Sequence, residues 1–318
     1  MQHLIVATIL ALAAVAQPGG RPDPQSIRTS DLELGRAARP AQSAQREPRA
    51  SDKRTREIYV SAVDGSGKPV TGLTAADFVV KEDGVAREVV SAGTATEQLT
   101  ISMLVDDSEA ASDAIPFMRD ALPSFVQRLN GKAEIAVATM GERPTSLIDY
   151  TTSADAVKKV VGRIFHRTGS GAYFLDAIVD VSRGLQKREA KRPTIVVISS
   201  EGPEFSNRSY QQVLDALLKS GAALHVLTLG QPSSSLADEM RNRNIVIAEG
   251  TEKTGGRRDQ VLALSGLTER LNQVADELTN QYVVQYGRPD QLIPPEKVQV
   301  SVSRPGVTVR ARTRATDR

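Results

Sequence analysis

Apolar positions along this chain follow two periods, and the alternation between them sets the expected architecture. Short apolar runs at 101–105, 133–139, 195–198 and 223–229 are separated by longer stretches with helical spacing. Ile115, Met118, Leu122, Phe125, Val126 and Leu129 mark one apolar face, and 154–164, 173–185, 210–218 and 267–278 read the same way. Strands that are apolar throughout are covered on both faces. Strands regularly separated by helices predict a parallel, doubly wound α/β sheet, here over 98–280. Residues 145–150 follow their predecessor too closely for a crossover helix, so they are expected as an antiparallel edge strand. In the first helix Pro116 suits the opening turn, Ser112 or Asp113 is the expected cap, and Pro123 predicts a bend.

On either side the period changes to two. Residues 58–63 read as a strand and 64–69 as a tight turn, with a helical turn capped by Thr74 after it. The turn's Gly-Ser-Gly-Lys lacks the spacing of a phosphate loop. Residues 78–90 read as a hairpin about Asp83-Gly84, a pair that tolerates positive φ. Beyond the α/β region, 282–286, 297–303 and 307–312 are strand candidates, and Arg310 and Arg312 are expected on a wet face. Neither flank can form a stable domain alone. They are therefore expected to pair with each other as one β module, from 55–97 and 281–318, with the α/β domain inserted between them.

Composition narrows the setting. An apolar run over 4–15, too short to span a bilayer, precedes Ala14-Val15-Ala16 and predicts a signal peptide over 1–16. Residues 17–54 are rich in Pro, Gly, Ala, Ser and Arg, which predicts a disordered linker. Export to the periplasm or beyond the cell follows, without a stable membrane span. The chain has no cysteine, which excludes disulfides and thiolate metal sites, and no tryptophan. A net charge of +2 over 318 residues gives no footprint for nucleic acid.

The central apolar run ends in Val105-Asp106-Asp107-Ser108-Glu109-Ala110. Asp106 and Ser108 fit the first two positions of D-x-S-x-S, which resembles the strand-end motif of von Willebrand factor type A domains. The stretch VDGSGKPVTGLTAADFVVKEDGVAREVVSAG (63–93) is similar to the lead-in of bacterial proteins of that family, with its glycines, Asp77-Phe78 and Asp83-Gly84 in register. The resemblance implies a von Willebrand A, Rossmann-like fold and a metal-ion-dependent adhesion site built from three loops. On this chain that site falls on Asp106, Ser108 and Ala110, then Ala172 ahead of Asp176-Ala177, then Ser200-Glu201-Gly202. Ala110 and Ala172 replace two hydroxyl ligands. The expected site is thus degenerate: Asp106, Ser108 and Glu201 remain as metal ligands, and no cofactor is expected beyond weak Mg²⁺ or Ca²⁺.

Catalytic readings find little support. Ser108 lacks the glycines of a nucleophile elbow, and only His166 could reach it. Gly169-Ser170-Gly171 is a fragment of a dinucleotide fingerprint and reads as a loop. The expected function is non-enzymatic recognition of another protein or a cell-envelope component, with Asp107, Glu109, Ser170 and Gly202 facing the partner. The alternatives are a metal-dependent adhesin and a structural envelope protein.

Overall fold

Seven apolar residues, Leu99–Val105, form the middle strand β5 of a six-stranded sheet and are buried along their whole length. In this computed structural model residues 54–232, 237–288 and 295–314 are described, and all of them fall within one compact unit. The expected signal peptide, and the expected linker up to residue 53, lie outside the described residues.

Around β5 stand β6 (Ala133–Thr139), β7 (Thr145–Thr151), β8 (Arg192–Ser200), β9 (Ala223–Leu229) and β10 (Arg258–Val261), in the order β10-β9-β8-β5-β6-β7. All neighbours are parallel except β7, which runs antiparallel at the edge as its short connection requires. Because side chains alternate across a strand, β5 sends Ile101, Met103 and Val105 to one face and Leu104 to the other. The first face packs on helices α1 (Ile115–Arg128) and α7 (Leu267–Thr279), through Met118, Leu122, Phe125, Leu271 and Val274. The second packs on α3 (Phe174–Arg188) and α4 (Tyr210–Ser220), through Phe174, Ile178, Val213 and Leu217. Burying one such side chain contributes about 1.5–3 kcal/mol.

Several boundaries differ from the sequence reading. Helix α1 starts behind Ala114, and neither Ser112 nor Asp113 caps it with a side chain. Helix α2 (Ala154–Val161) stops at Gly162, three residues short of the expected end. The polar stretch after β9 forms a helix expected nowhere in the sequence reading. It comprises α5 (Asp238–Ile245), one π turn (Val246–Gly250) and α6 (Thr251–Thr254). It delivers the sixth strand, β10.

The flanking segments do pair with one another. β1 (Arg54–Val63) lies between β11 (Tyr282–Arg288) and β13 (Thr308–Ala311), and β4 (Val89–Thr94) adds to β11. A second sheet joins β12 (Val298–Val302) to the hairpin β2 (Phe78–Glu82) and β3 (Val85–Arg87). Asp83 and Gly84, with φ of 48° and 83°, make that hairpin's turn. Ile58, Val60, Phe78, Val80, Tyr282 and Val284 fill the core that both sheets share. The Tyr282 hydroxyl donates to the Val70 carbonyl at 2.8 Å and accepts from the Leu73 amide at 3.2 Å.

One expectation about this module is corrected. Arg310 does not face water: it donates twice to Glu277 of α7, at 2.9 and 2.6 Å, and that carboxylate is fully buried. The strand's arginine face turns toward the α/β domain because Glu277 awaits it there. His225, within β9, is buried beside the same cluster.

Candidate functional site

After β5 the chain continues to β6 and β7 on one side, then crosses to β8, β9 and β10 on the other. The carboxyl ends of β5 and β8 therefore flank the switch point of the sheet, where such folds open a crevice. Asp106 to Ala110 leave β5 there, and Ser199 to Gly202 end β8.

Asp106 is fully buried, and backbone amides hold both of its oxygens. Oδ1 accepts from the Ser108 amide at 2.9 Å and Oδ2 from the Ser200 amide at 2.8 Å. The Ser199 hydroxyl donates more weakly to Oδ2, at 3.5 Å. Asp107 also points inward. It accepts from the Gly141 amide at 2.6 Å and from Arg167 Nε at 2.8 Å, while Arg167 reaches on to Glu142 at 3.0 Å. Glu109 is exposed, and its carboxylate accepts from the Gly169 amide at 2.9 Å. Its own amide donates to the Ser170 carbonyl. The first loop is thus tied to the second by charge and backbone together.

The second loop is tied in turn to the third. Ala172, at the missing threonine, makes a parallel β-bridge with Glu204, donating to Pro203 and accepting from Phe205. Glu204 is buried and accepts from the amides of Phe174, Leu175 and Ser206 at 3.1–3.4 Å, which closes the amino terminus of α3. Gly202 packs against the exposed Ala110: a Cβ built on it would stand 2.3 Å from the Ala110 methyl. Asp176 is taken by Arg208 at 2.6 Å.

Glu201 has a partner that sequence reading did not find. Arg243, from α5, is only 1% exposed, and its guanidinium enters beneath the third loop. It donates to Glu201 at 3.3 Å and to the Ser199 hydroxyl and the Ser200 carbonyl at 3.2 Å each, beside the Phe174 ring. Nothing in the polar run around it marked Arg243 as special, because its role depends on an unexpected helix.

The donor set for a divalent cation is correspondingly thin. Methyl groups replace two hydroxyls, and Glu201 is engaged by a guanidinium, which leaves Asp106 and Ser108 from the expected set. Octahedral oxygen coordination needs more than those two offer. Among the described residues, no group of three or more His, Asp or Glu side chains is placed to hold a metal ion. Nor does any hydrogen bond there join Ser108 to His166, and Ser108 is buried while His166 is exposed.

This end of the molecule also presents aromatic side chains to solvent. The chain has six phenylalanines. Phe78, Phe125 and Phe174 are core residues, whereas Phe165, Phe205 and Phe117 are 65%, 50% and 39% exposed. All three exposed rings lie on the loops, or the first turn of α1, around Asp106. Arg119 stacks over Phe165 at 4.2 Å, and Tyr173 meets Phe205 edge to face at 6.1 Å.

Glu204 gives this site a pH dependence. Burial pushes its carboxyl up from the ordinary 4.5 to about 7, against the opposing pull of Ser206 and the backbone amides. A raised folded pKa means that the folded state holds the proton longer than the unfolded chain. This contribution to stability is therefore complete below about 4.5 and lost as pH rises toward about 7. His225 acts in the opposite sense over a similar range, since burial lowers it to about 4. Comparison with Glu204→Gln isolates the first effect. Relative to wild type, the variant gains stability between pH 5 and pH 8, and parallel denaturant curves at those two values measure the gain.

No family model and no curated protein matches the sequence. Solved structures do resemble the fold. Von Willebrand factor type A from Catenulispora acidiphila aligns with a TM-score of 0.48 at 13% identity, covering 83% of this chain and 72% of that one. Proximal thread matrix protein 1 from the mussel byssus, with a zinc-occupied MIDAS motif, aligns at 0.49 and 15%, covering 63% and 50%. This chain thus matches about half the length of the byssus protein. BatB from Bacteroides thetaiotaomicron aligns at 0.43 and 14%, covering 56% and 98%. The strand order, the antiparallel edge and the Asp106 loop at the switch point define a von Willebrand factor type A-like α/β domain carrying a small antiparallel module.

Proposed function

We propose that the protein is an exported, non-enzymatic binding module that recognises another protein or an envelope component through the loops around Asp106, without a bridging cation. One observation carries the reading: the acids at this end are engaged within the protein, while three phenylalanines stand exposed among them. Aromatic anchors in a polar surround are the usual source of binding energy at protein interfaces. Phe165, Phe205 and Phe117 supply the anchors, and Glu109, Ser170 and Gly202 supply polar and backbone contacts beside them. Asp107 acts from beneath by fixing Arg167. A metal-dependent adhesin would instead use Asp106, Ser108 and Glu201 as ligands, and Arg243 competes for the last of these.

Two measurements test the reading. A photoreactive residue at 205 crosslinks a protein or envelope polymer in the producing cell, equally with and without chelator. Combining Phe165→Ser with Phe205→Ser abolishes the crosslink from position 117 without lowering the melting temperature. A crosslink that survives this double change would remove the aromatic surface from the mechanism. Thermal melts in chelator and in millimolar Mg²⁺ or Ca²⁺ should coincide. A cation at about a hundred times its dissociation constant would add roughly 2.7 kcal/mol, and such a rise, lost in Asp106→Ala, would establish the metal-dependent alternative.

A further inference from the structure

The opposite end of the molecule carries a second candidate site. Where the β module meets the α/β domain there is a cleft of about 800 Å³, within the range of small-molecule sites. Its floor depends on two glycines. A Cβ on Gly255 would stand 2.4 Å from the carbonyl carbon of Ala311, and one on Gly256 would stand 1.9 Å from the Leu224 carbonyl oxygen. Only a bare backbone can pass between β13 and β9 at this point, and the passage carries Arg257 into the cleft.

The Arg257 side chain is 9% exposed and ion-paired through Nε with Asp259. Its Nη2 donates to Oε1 of Gln273 at 3.0 Å. Arg270, one turn earlier on α7, donates to the same oxygen at 3.1 Å. Two guanidiniums therefore converge on one neutral acceptor. Arg257 Nη1, buried and without a hydrogen bond, is ion-paired with the buried Glu277 at 3.8 Å. Arg257 is compensated by Asp259 and Glu277, whereas Arg270 shares only this neutral oxygen with it, so the pair favours an anion beside the exposed Arg270 fork.

The remaining wall agrees. Lys297 and Arg258 add positive charge, while Asp64 spends one oxygen on the amides of Ser66 and Lys68 within its own turn. Glu252 and Asp259 are the other lining carboxylates, and Asp259 is the one paired with Arg257. The Asp64-Gly65-Ser66-Gly67 turn lies beside Arg257 and Gln273, with Gly67 at a φ of 82°. Thr251, Thr308 and Thr313 line the same space, and the hydroxyls of Thr251 and Thr313 donate to the Ile247 and Lys253 carbonyls.

We propose that this cleft binds a phosphate monoester carried on a small hydroxyl-rich molecule, such as a sugar phosphate. A tetrahedral dianion presents enough oxygens to meet the Arg270 fork together with the other lining cations, Lys297 and Arg258, which a single carboxylate does not. The exposed Thr308 would then face the hydroxyls of the carrier. A long polyanion is disfavoured, because the protein has no broad positive field.

Calorimetric titration of the full chain at constant ionic strength tests this, with inorganic phosphate, glucose 6-phosphate and glucose as probes. Both phosphates give saturable heats, glucose 6-phosphate binds more tightly than inorganic phosphate, and glucose gives none. Arg270→Gln weakens both at least about tenfold, and Arg270→Lys falls between, because it keeps the charge and loses the fork. A melt of each unliganded variant confirms that it is folded. Arg270, on the exposed rim, is preferred for the test because loss of the buried Arg257 would disturb the fold. Absence of saturable heat with either phosphate, or binding undiminished in Arg270→Gln, would overturn the proposal.

Discussion

Arg243→Met lowers the stability of the protein by about 3–5 kcal/mol, the range for breaking a buried ion pair by removing one partner. The change deletes the cation beneath the third loop and keeps an unbranched apolar side chain beside Phe174. It leaves Glu201 without its counter-charge, and the Ser199 hydroxyl and Ser200 carbonyl without their donor. At roughly 2–4 °C per kcal/mol for a domain of this size, scanning calorimetry should show a fall near 10 °C. Adding Glu201→Gln in the same background recovers part of the loss, because the uncompensated charge disappears. The double-mutant cycle then reports the coupling between the two residues. Restoring a vacancy for positive charge also changes the response to metal: Mg²⁺ or Ca²⁺ stabilises Arg243→Met more than it stabilises wild type. A loss below about 1 kcal/mol, with no difference in cation response, would mean that the guanidinium does not substitute for a metal here.

Strands β5, β8 and β9 were legible because double burial leaves largely apolar runs, β6 by its short apolar run with one face buried, and α1, α3, α4 and α7 because one apolar face repeats every three to four residues. Asp83-Gly84 announced its turn by backbone chemistry alone. The helix from Asp238 to Thr254 was hidden by a polar composition with almost no apolar periodicity at its start, and β10 by being four residues long and mostly polar. Asp106 was found because its position at a strand end is a local property. Its neighbours Asp107 and Glu109 have the same composition but different fates, one buried against Arg167 and the other exposed, and only tertiary packing decides that. The three exposed phenylalanines could not be separated from the three buried ones by pattern, since Phe117 sits one residue before Met118 of the core face. Arg310 misled for a related reason. An alternating arginine on a strand is normally wet, and its buried partner lies 33 residues earlier on a helix whose other residues looked like a plain apolar stripe.

That partner gives the second large effect. Glu277→Gln preserves the shape of the side chain but removes the one negative charge that Arg310 grips with both nitrogens and that Arg257 approaches at 3.8 Å. Burial alone would push the Glu277 carboxyl up. The hydrogen bonds from Arg310 and the positive surroundings outweigh it and hold the group below the usual carboxylate range. A depressed folded pKa means that the pair's contribution is present above the unfolded value of 4.5 and is lost as pH falls through the lower folded value. At neutral pH the variant leaves Arg310 facing a neutral amide in a buried site, so a loss of about 3–5 kcal/mol is expected. The loss should be local before it is global. Glu277 belongs to the last helix of the α/β domain and Arg310 to β13, so the β13 edge and the β1 segment paired with it should gain amide exchange first, while β5 stays protected. Acid removes the wild-type advantage, so the stability gap between the two proteins narrows once the pH drops below that of an ordinary carboxylate. Uniform exchange across β13 and β5, or a gap that does not change with acid, would show that the Glu277–Arg310 pair is not what joins the β module to the α/β domain.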